Sequence, residues 1–338
     1  MRFFFGRKHP ERWVDGLPQR YRKYRRPPWV HGMTTDNELC FLETYAREVF
    51  SGAGRIVDLG CWFGATTLSL ARGLAARGKA APAGTIDALD RFEWESWMDP
   101  IAEKVSLPRR YAAGQSFYDE VKELLRPYAA VINVERQDLL RYTPPLTPVE
   151  LLFIDAMKSW GLAQKIVCGF FPRLIAGCSY VVQQDFAYYH PVVATSHLSM
   201  WYLREHFRCV HHVPDSCSVV FFCTRPLEAA ALPEFSPKLF TADLVEEAYE
   251  YCLGCVQSNV RVMLEIAKLC FLIQEGHAQT AINQGHRVAR LEGVSRAMVV
   301  RVEATAQERL AATQGTKGPE VEWLQEILDW TAGGCVSH

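Results

Sequence analysis

The stretch that most constrains this chain covers residues 55–67 and reads RIVDLGCWFGATT. Its apolar residues surround one acid, Asp58, and predict a buried strand. Gly60 and Gly64 follow, and the residues after them have the periodicity of an amphipathic helix. Glycine lacks a Cβ and accepts positive φ, so this strand, turn and helix would bring free backbone N–H groups close to a ligand. The dinucleotide pattern G-x-G-x-x-G is absent, because three residues separate the two glycines.

Further strands alternate with helices along most of the chain. Additional strands are predicted at residues 85–90, 130–134, 149–155 and 179–185, followed by a hairpin at 209–213 and 218–223. Helices are predicted at residues 37–50, 66–74, 117–125, 160–174 and 192–207. This alternation predicts a doubly wound α/β fold with a mostly parallel sheet.

Composition divides the chain into three predicted parts. Residues 1–32 carry nine Lys or Arg and four prolines, which predicts a basic, extended arm rather than a helix. Residues 33–226 hold the strands and form the predicted central domain. Residues 227–338 are helical, and their apolar stripes are typical of core or dimer contacts. We therefore expect a homo-oligomer that forms through this helical extension.

Bulk composition favours a soluble globular protein. Hydrophobic residues make up 49% of the 338 positions and charged residues 22%, which is ordinary for such proteins. The net charge of -1 gives no overall attraction to nucleic acid or to anionic membranes. Eleven scattered cysteines and the absence of an apolar signal core are typical of a reduced, cytoplasmic protein.

Several short motifs in residues 33–225 resemble one enzyme family. Asp-x-Gly-x-x-x-Gly at positions 58–64 resembles motif I of the class I S-adenosylmethionine (SAM) methyltransferases. Asp155-x-x-Lys158, followed by Asp185, is similar to the metal site and lysine of the catechol and caffeoyl-coenzyme A O-methyltransferases. DRFE at 90–93 and VQQDF at 182–186 resemble the macrocin and mycinamicin O-methyltransferases, which methylate macrolide sugars. The resemblance implies a seven-stranded sheet closed by an antiparallel hairpin.

The resemblance also implies which residues hold SAM. They lie in the first loop and at the strand ends, where open α/β sheets bind ligands: Asp58, Gly60, Trp62, Gly64, Thr66, Asp90, Arg91, Gln137, Asp138 and Asp155. Asp90 would accept hydrogen bonds from both ribose hydroxyls, and a turn-forming role is the alternative. Gln137 and Asp138 would face the adenine or form a plain turn.

Methyl transfer to a hydroxyl requires aligned reactants and removal of one proton. The predicted catalytic residues are Lys158, Asp155 and His190. Lys158 lies about one turn past Asp155, where a nearby cation could lower its pKa enough for it to act as the general base. Mg²⁺ held by Asp155 and Asp185 would lower the pKa of the hydroxyl. The third ligand would be Gln184, which offers only a neutral amide oxygen where these families usually supply another oxygen ligand. Without a metal, Lys158, His190 or Asp185 would remove the proton unaided.

Three functions remain open from the sequence. The first is a SAM-dependent O-methyltransferase of a small hydroxylated acceptor, such as a sugar or a natural product, with neither membrane nor nucleic acid as a partner. The second is an RNA or protein methyltransferase that holds its substrate with the basic arm. The third is a non-catalytic, methyltransferase-like subunit that binds a partner through the helical extension. Residues 93–117, rich in aromatic residues and charge, are predicted to form a lid that faces the substrate.

Overall fold

The protein is described by a computed structural model that covers residues 10–78, 81–105, 107, 109–313 and 318–333. The chain forms two compact units. The first contains the described residues up to Ala156, with Gln164–Gln184 and Glu205–Pro233; the second contains Met157–Ala163, Asp185–Arg204 and the described residues from Glu234 onward. This division differs from the predicted boundaries at residues 32 and 226, because two segments of the strand-bearing region belong to the helical unit.

The first unit contains a seven-stranded sheet with the strand order β3-β2-β1-β4-β5-β7-β6. The strands are β1 (Arg55–Leu59), β2 (Ile86–Asp90), β3 (Ile132–Arg136), β4 (Val149–Ile154), β5 (Tyr180–Gln183), β6 (Phe207–His212) and β7 (Val219–Cys223). Strands β1 to β5 are parallel, whereas β7 is antiparallel to both β5 and β6. The predicted α/β fold and its closing antiparallel hairpin are confirmed.

The strand order reverses at β1, which lies between β2 and β4. Leu59, the last residue of β1, is in register with Leu89 of β2 and with Ile154 of β4. The carboxyl ends of the three strands therefore align at one edge. Open α/β sheets bind ligands at such a point of reversal, so the loop after β1 occupies the position where a ligand is expected.

Five helices belong entirely to the first unit. They are α1 (Leu17–Lys23), α2 (Asp36–Thr44), α3 (Ala65–Ala75), α4 (Asp99–Lys104) and α5 (Tyr118–Leu125). The prediction of an extended arm is wrong for α1. Pro18 stands in the first turn of this helix, where a missing backbone N–H costs nothing. The helix buries Leu17 and Tyr21, and the Tyr21 hydroxyl is 2.9 Å from Nε2 of His211 in β6.

Helix α6 (Trp160–Phe170) begins in the second unit and ends in the first. The other helices belong to the second unit and are α7 (Ala194–Tyr202), α8 (Ala242–Gly254), α9 (Arg261–Gln274), α10 (Ala278–Val288), α11 (Arg296–Ala312) and α12 (Pro319–Gly333). Helix α9 is the central one: most of its side chains are buried, and α8, α10 and α11 pack against it. No helix in the described part of the chain is long and apolar enough to cross a membrane.

Candidate cofactor and catalytic site

The loop after β1 is shaped by residues with positive φ. Gly60 has φ +86°, Trp62 +44° and Gly64 +74°. A Cβ at position 60 would lie 2.9 Å from the carbonyl oxygen of Asp155, so the residue after β1 must be glycine for steric as well as conformational reasons. Gly64 is the N-cap of α3, and its carbonyl accepts the hydrogen bond of the Leu68 N–H. The two glycines thus place the loop backbone directly before the N-terminus of a helix.

Asp58 is fully buried beneath this loop. Its Oδ2 accepts hydrogen bonds from the hydroxyls of Thr66 (2.7 Å) and Thr67 (2.6 Å). Burial raises the pKa of Asp58 to about 6, the two hydroxyl bonds lower it, and the charges of Asp155 and Asp90 raise it further. Its Oδ1 has no hydrogen-bond partner among the described residues. A buried acceptor of this kind costs free energy until a donor or a cation meets it.

Asp90, at the end of β2, fixes two strained turns. Its Oδ2 accepts the Trp62 N–H at 3.0 Å, and its Oδ1 accepts the Phe92 N–H at 2.8 Å. Both donors belong to non-glycine residues with positive φ, a conformation that the surrounding bonds must hold in place. Burial raises the pKa of Asp90, whereas these two backbone bonds lower it. Each carboxylate oxygen keeps a second lone pair, so Asp90 can still accept hydrogen bonds from a diol.

Asp87, three residues before Asp90, serves a different purpose. Its Oδ2 accepts a hydrogen bond from Arg55 Nε at 2.6 Å, and its Oδ1 accepts one from Asn133 at 3.1 Å. These partners lie on β1 and β3, the two neighbours of β2. Asp87 therefore links three strands, as expected from strand alternation, which places it on the opposite face from Asp90.

A cleft with an empty volume of about 290 Å³ lies at the glycine loop. The residues around it come from three places in the first unit: His31, Gly32, Met33, Thr34, Gly60, Cys61, Trp62, Phe63, Ala65, Thr66 and Asp155. One wall is the segment 31–34, which sequence reasoning missed as part of the site. A Cβ at Gly32 would lie 2.7 Å from the Cβ of Ala65, so this segment packs tightly on the start of α3.

Arg26 holds that wall in place. Its guanidinium donates to the carbonyl of Gly32 at 3.0 Å and to the carbonyl of Thr34. Its Nε also donates to the Asp36 carboxylate at 3.0 Å. The only sequence signals for this arrangement are one glycine and one of nine basic residues, and neither reveals a contact across the chain.

Gln137 and Asp138, which follow β3, form hydrogen bonds with nearby backbone groups. The Gln137 N–H donates to the Asp90 carbonyl at 2.8 Å, which brings Gln137 beside the end of β2. Asp138 Oδ1 accepts the Leu140 N–H at 3.0 Å, the pattern of a turn-forming Asp. Arg91 is half exposed and forms an ion pair with Glu95. These contacts favour the turn alternative for Asp138 and give Arg91 a partner within its own segment.

The segment predicted as a lid is packed against the glycine loop by aromatic rings. Glu93 and Ser116 form a β-bridge that closes the segment at its base. Trp94 is buried and stacks with Trp62, with ring centroids 6.5 Å apart, and with Tyr111, at 5.0 Å. Whether this segment covers a substrate stays a prediction.

Two predicted site residues of the second unit, Lys158 and Asp185, contact each other. Lys158 forms an ion pair with Asp185. His190 Nδ1 accepts the Val192 N–H at 3.2 Å, and burial lowers the pKa of His190 to about 4, with the charges of Arg301 and Lys158 acting in the same direction. A neutral imidazole that accepts at Nδ1 carries its proton on Nε2. His190 is therefore a hydrogen-bond donor at its remaining nitrogen.

The residues proposed as metal ligands do not fit a bound divalent cation. Within the ranges that the structure describes, no three His, Cys, Asp or Glu side chains form a group that could hold a metal ion. Asp185 is paired with Lys158 instead. Gln184 offers only a neutral amide oxygen, which is a poor substitute for a carboxylate. The prediction of Mg²⁺ at Asp155, Gln184 and Asp185 is therefore unsupported.

Similarity to known proteins is found among solved structures. No family model and no curated protein sequence matches this chain. Among solved structures, the calicheamicin methyltransferase CalS11 is 14% identical, with 65% of this chain and 95% of that chain covered and a TM-score of 0.43. The pyocyanin biosynthetic protein PhzM is 15% identical, with 54% of each chain covered and a TM-score of 0.31. Similarity at this level assigns neither an activity nor a substrate.

The sheet itself decides the fold. Its antiparallel edge hairpin and its glycine turn after β1 are features implied by the motif I resemblance. The fold, a seven-stranded and mostly parallel α/β sheet, is consistent with that of the class I methyltransferases.

The cleft also has the polar groups that SAM would need. Three buried polar atoms at or beneath it have no hydrogen-bond partner in the described part of the chain: Asp58 Oδ1, Trp62 Nε1 and Thr34 Oγ1. SAM carries an ammonium, a carboxylate, a ribose diol and an adenine, which supply both donors and acceptors. The residues present therefore fit SAM.

Proposed function

We propose that this protein is a SAM-dependent methyltransferase that methylates a hydroxyl group on a small-molecule acceptor. The glycine turn at the reversal point of the sheet carries this proposal. It combines free helix N–H groups with two carboxylates, Asp58, which accepts bonds from hydroxyls, and Asp90, which accepts bonds from backbone N–H groups. Bound SAM would supply a methyl group attached to positively charged sulfur.

Four residues at or beside the cleft have a proposed part in holding the cofactor. Asp90 would accept the ribose hydroxyls with its remaining lone pairs, while it keeps Trp62 and Phe92 in their strained turns. Asp58 would offer its free oxygen to a positively charged group or an N–H group of the ligand. Thr34 and Trp62 would provide a hydroxyl and an indole N–H. The cleft is thereby suited to a zwitterionic nucleoside ligand.

Proton removal is assigned to the Lys158–Asp185 pair. In the paired state the Asp185 carboxylate is the available proton acceptor, and the Lys158 ammonium would stabilise the oxyanion that forms on the acceptor. Lys158 itself acts as the base only when the pair opens. His190, whose Nε2 carries a proton, would orient the acceptor by donating a hydrogen bond.

Transfer of a radiolabelled methyl group from SAM tests this function. The acceptors are catechols, flavonoids and deoxysugar-bearing macrolides, each assayed with and without EDTA. Lys158→Met should lower kcat at least about 10-fold while SAM affinity stays unchanged, since general acid–base groups contribute factors of this size or more. Lys165→Met, at an exposed position of α6, is the matched control. We expect EDTA to leave transfer unchanged.

Three outcomes would contradict the proposal in different ways. Absence of SAM binding would exclude the methyltransferase activity. SAM binding with transfer only to RNA or protein would exclude the small-molecule acceptor. Equal activity of Lys158→Met and wild type would remove Lys158 from the mechanism.

A role for the N-terminal arm in holding RNA has less support. Arg20 pairs with Glu48, and Arg26 is bonded to Asp36 and to two backbone carbonyls. Arg25 donates to the carbonyls of Arg22 and Tyr24. These three arginines form ion pairs or hydrogen bonds within the first unit, so the arm is not simply a free basic tail.

A further inference from the structure

We propose that Arg301, on α11, binds an anionic oxygen group, a carboxylate or a phosphate ester, and that the methyl acceptor carries this group. Calling the bound molecule the acceptor rests on the proposed function, whereas the anion site itself does not. The inference concerns the second unit alone.

Arg301 is a partly buried cation without a countercharge. Its Nε is buried and has no hydrogen-bond partner, and Arg301 forms no ion pair, among the residues that the structure describes. Two other arginines of the same unit form ion pairs: Arg287 with Glu265, and Arg309 with Glu320. A buried N–H group without an acceptor is costly, and an anionic ligand would remove that cost.

The backbone at Arg301 is held firmly. Its carbonyl accepts the Thr305 hydroxyl at 2.8 Å, and the flanking Val302 and Thr305 are buried. Helix α11 packs on α9, and α9 in turn contacts the 3₁₀ turn Pro191–Val193 that follows His190. Arg301 therefore projects from a rigid element, which suits recognition of a fixed group on a ligand.

Arg301 and Lys158 both act electrostatically on His190. Burial is the main cause of the lowered pKa of His190, and the charges of Arg301 and Lys158 lower it further. His190 is neutral and offers Nε2–H. Asp185 is paired with Lys158, whose charge also lowers the pKa of His190. These four side chains together keep one net positive charge at neutral pH, which an anion would neutralise.

Aromatic rings accompany these donors. Tyr188 lies nearly parallel to the His190 ring, with an interplanar angle of 9° and centroids 6.3 Å apart. The Tyr188 and Tyr189 centroids are 4.6 Å apart. Arginine binds carboxylate and phosphate groups in a bidentate manner. A flat ring of a ligand would pack against aromatic side chains such as these tyrosines. The arrangement predicts a hydroxylated acceptor with an acidic group next to a ring.

Nuclear magnetic resonance of the arginine Nε–H groups tests the site in the full-length protein. The probes are benzoate, phenyl phosphate and the uncharged benzamide. We expect benzoate or phenyl phosphate to shift the Arg301 Nε–H signal saturably, with a Kd on the order of 1 mM, and benzamide to leave it unchanged. The probe that binds more tightly distinguishes a carboxylate from a phosphate ester.

Variants make the result specific. Arg301→Met should abolish the saturable anion response, and Arg301→Lys should weaken it about 10-fold or more because the planar fork is lost. Arg309→Met, on the same helix but paired with Glu320, should respond as the wild type does. If neither anion gives a saturable response, or if Arg301→Met responds like the wild type, the proposal is overturned.

SAM binding measured in the same samples separates the two proposals. Anion binding at Arg301 without SAM binding would contradict the methyltransferase activity and leave the anion site in place. SAM binding without an anion response would overturn the anion site alone.

Discussion

Replacing Asp58 with asparagine should stabilise the ligand-free protein at neutral pH. Folding raises the pKa of Asp58 from 3.8 to about 6 because the carboxylate is fully buried. Each pKa unit corresponds to about 1.4 kcal/mol, so keeping Asp58 ionised costs the folded state about 3 kcal/mol at pH 8. Asparagine keeps an oxygen for the hydroxyls of Thr66 and Thr67 but carries no charge.

The sign of the effect follows from proton binding. A carboxyl group whose pKa is higher in the folded state favours folding below its unfolded pKa of 3.8, and this contribution is lost as the pH rises through about 6. The free energy of unfolding of Asp58→Asn should therefore exceed that of the wild type by up to about 3 kcal/mol at pH 8. The difference should shrink steadily towards pH 4.

Urea denaturation at several pH values between 4 and 8 measures this difference. Asp119→Asn, at an exposed position in the first turn of α5, is the control and should change stability by about 0.5 kcal/mol or less across the series. The reasoning is refuted if the Asp58→Asn difference does not vary with pH or has the opposite sign. The same variant should bind SAM more weakly, because the carboxylate that destabilises the fold is the one proposed to meet the ligand.

Other substitutions test the remaining parts of the cleft. Gly60→Ala should lower SAM affinity at least about 10-fold, because of a positive-φ penalty of about 1–2 kcal/mol and a Cβ placed 2.9 Å from a backbone oxygen. The control Gly52→Ala has the same φ but open space around it. It should lower stability and leave the SAM affinity measured by calorimetry unchanged. Asp90→Asn should lower the unfolding free energy by about 1–3 kcal/mol, since an amide has one acceptor oxygen for two backbone N–H groups; unchanged thermal stability would contradict this. Arg26→Met should raise the KM for SAM because the segment 31–34 loses its hydrogen bonds to the guanidinium. Arg20→Met breaks an exposed ion pair and should leave the KM unchanged. Equal KM values for the two variants would refute a role for the wall.

Local patterns in the sequence predicted the sheet and the glycine loop well. Residue periodicity and glycine spacing are local properties, and the predicted strands match the observed ones to within about two residues at most ends. The separate roles of Asp87 and Asp90 also followed from strand alternation, because side chains three residues apart point to opposite faces.

Contacts between distant segments could not be predicted in this way. The wall at residues 31–34 depends on Arg26 and on close packing with Ala65, and neither contact has a local signature. Pro18 was interpreted as evidence for an extended arm, although proline is equally suited to a first helical turn.

Residue type alone also left the role of Asp185 open. A carboxylate at a strand end can bind a metal ion or an ammonium group, and only the structure places Lys158 against it. The absence of an ion-pair partner for Arg301 among the described residues likewise depends on where the surrounding side chains lie. Arg301 therefore could not be distinguished from the other charges of the helical extension before the structure was known.

Isothermal titration of the purified, full-length protein with SAM tests the central claim most directly. The glycine turn and its two carboxylates predict one SAM molecule per chain with a Kd in the micromolar range, about -8 kcal/mol, and weaker binding by Gly60→Ala and Asp58→Asn. A folded protein that gives no saturable heat with SAM or with its demethylated product would contradict the account.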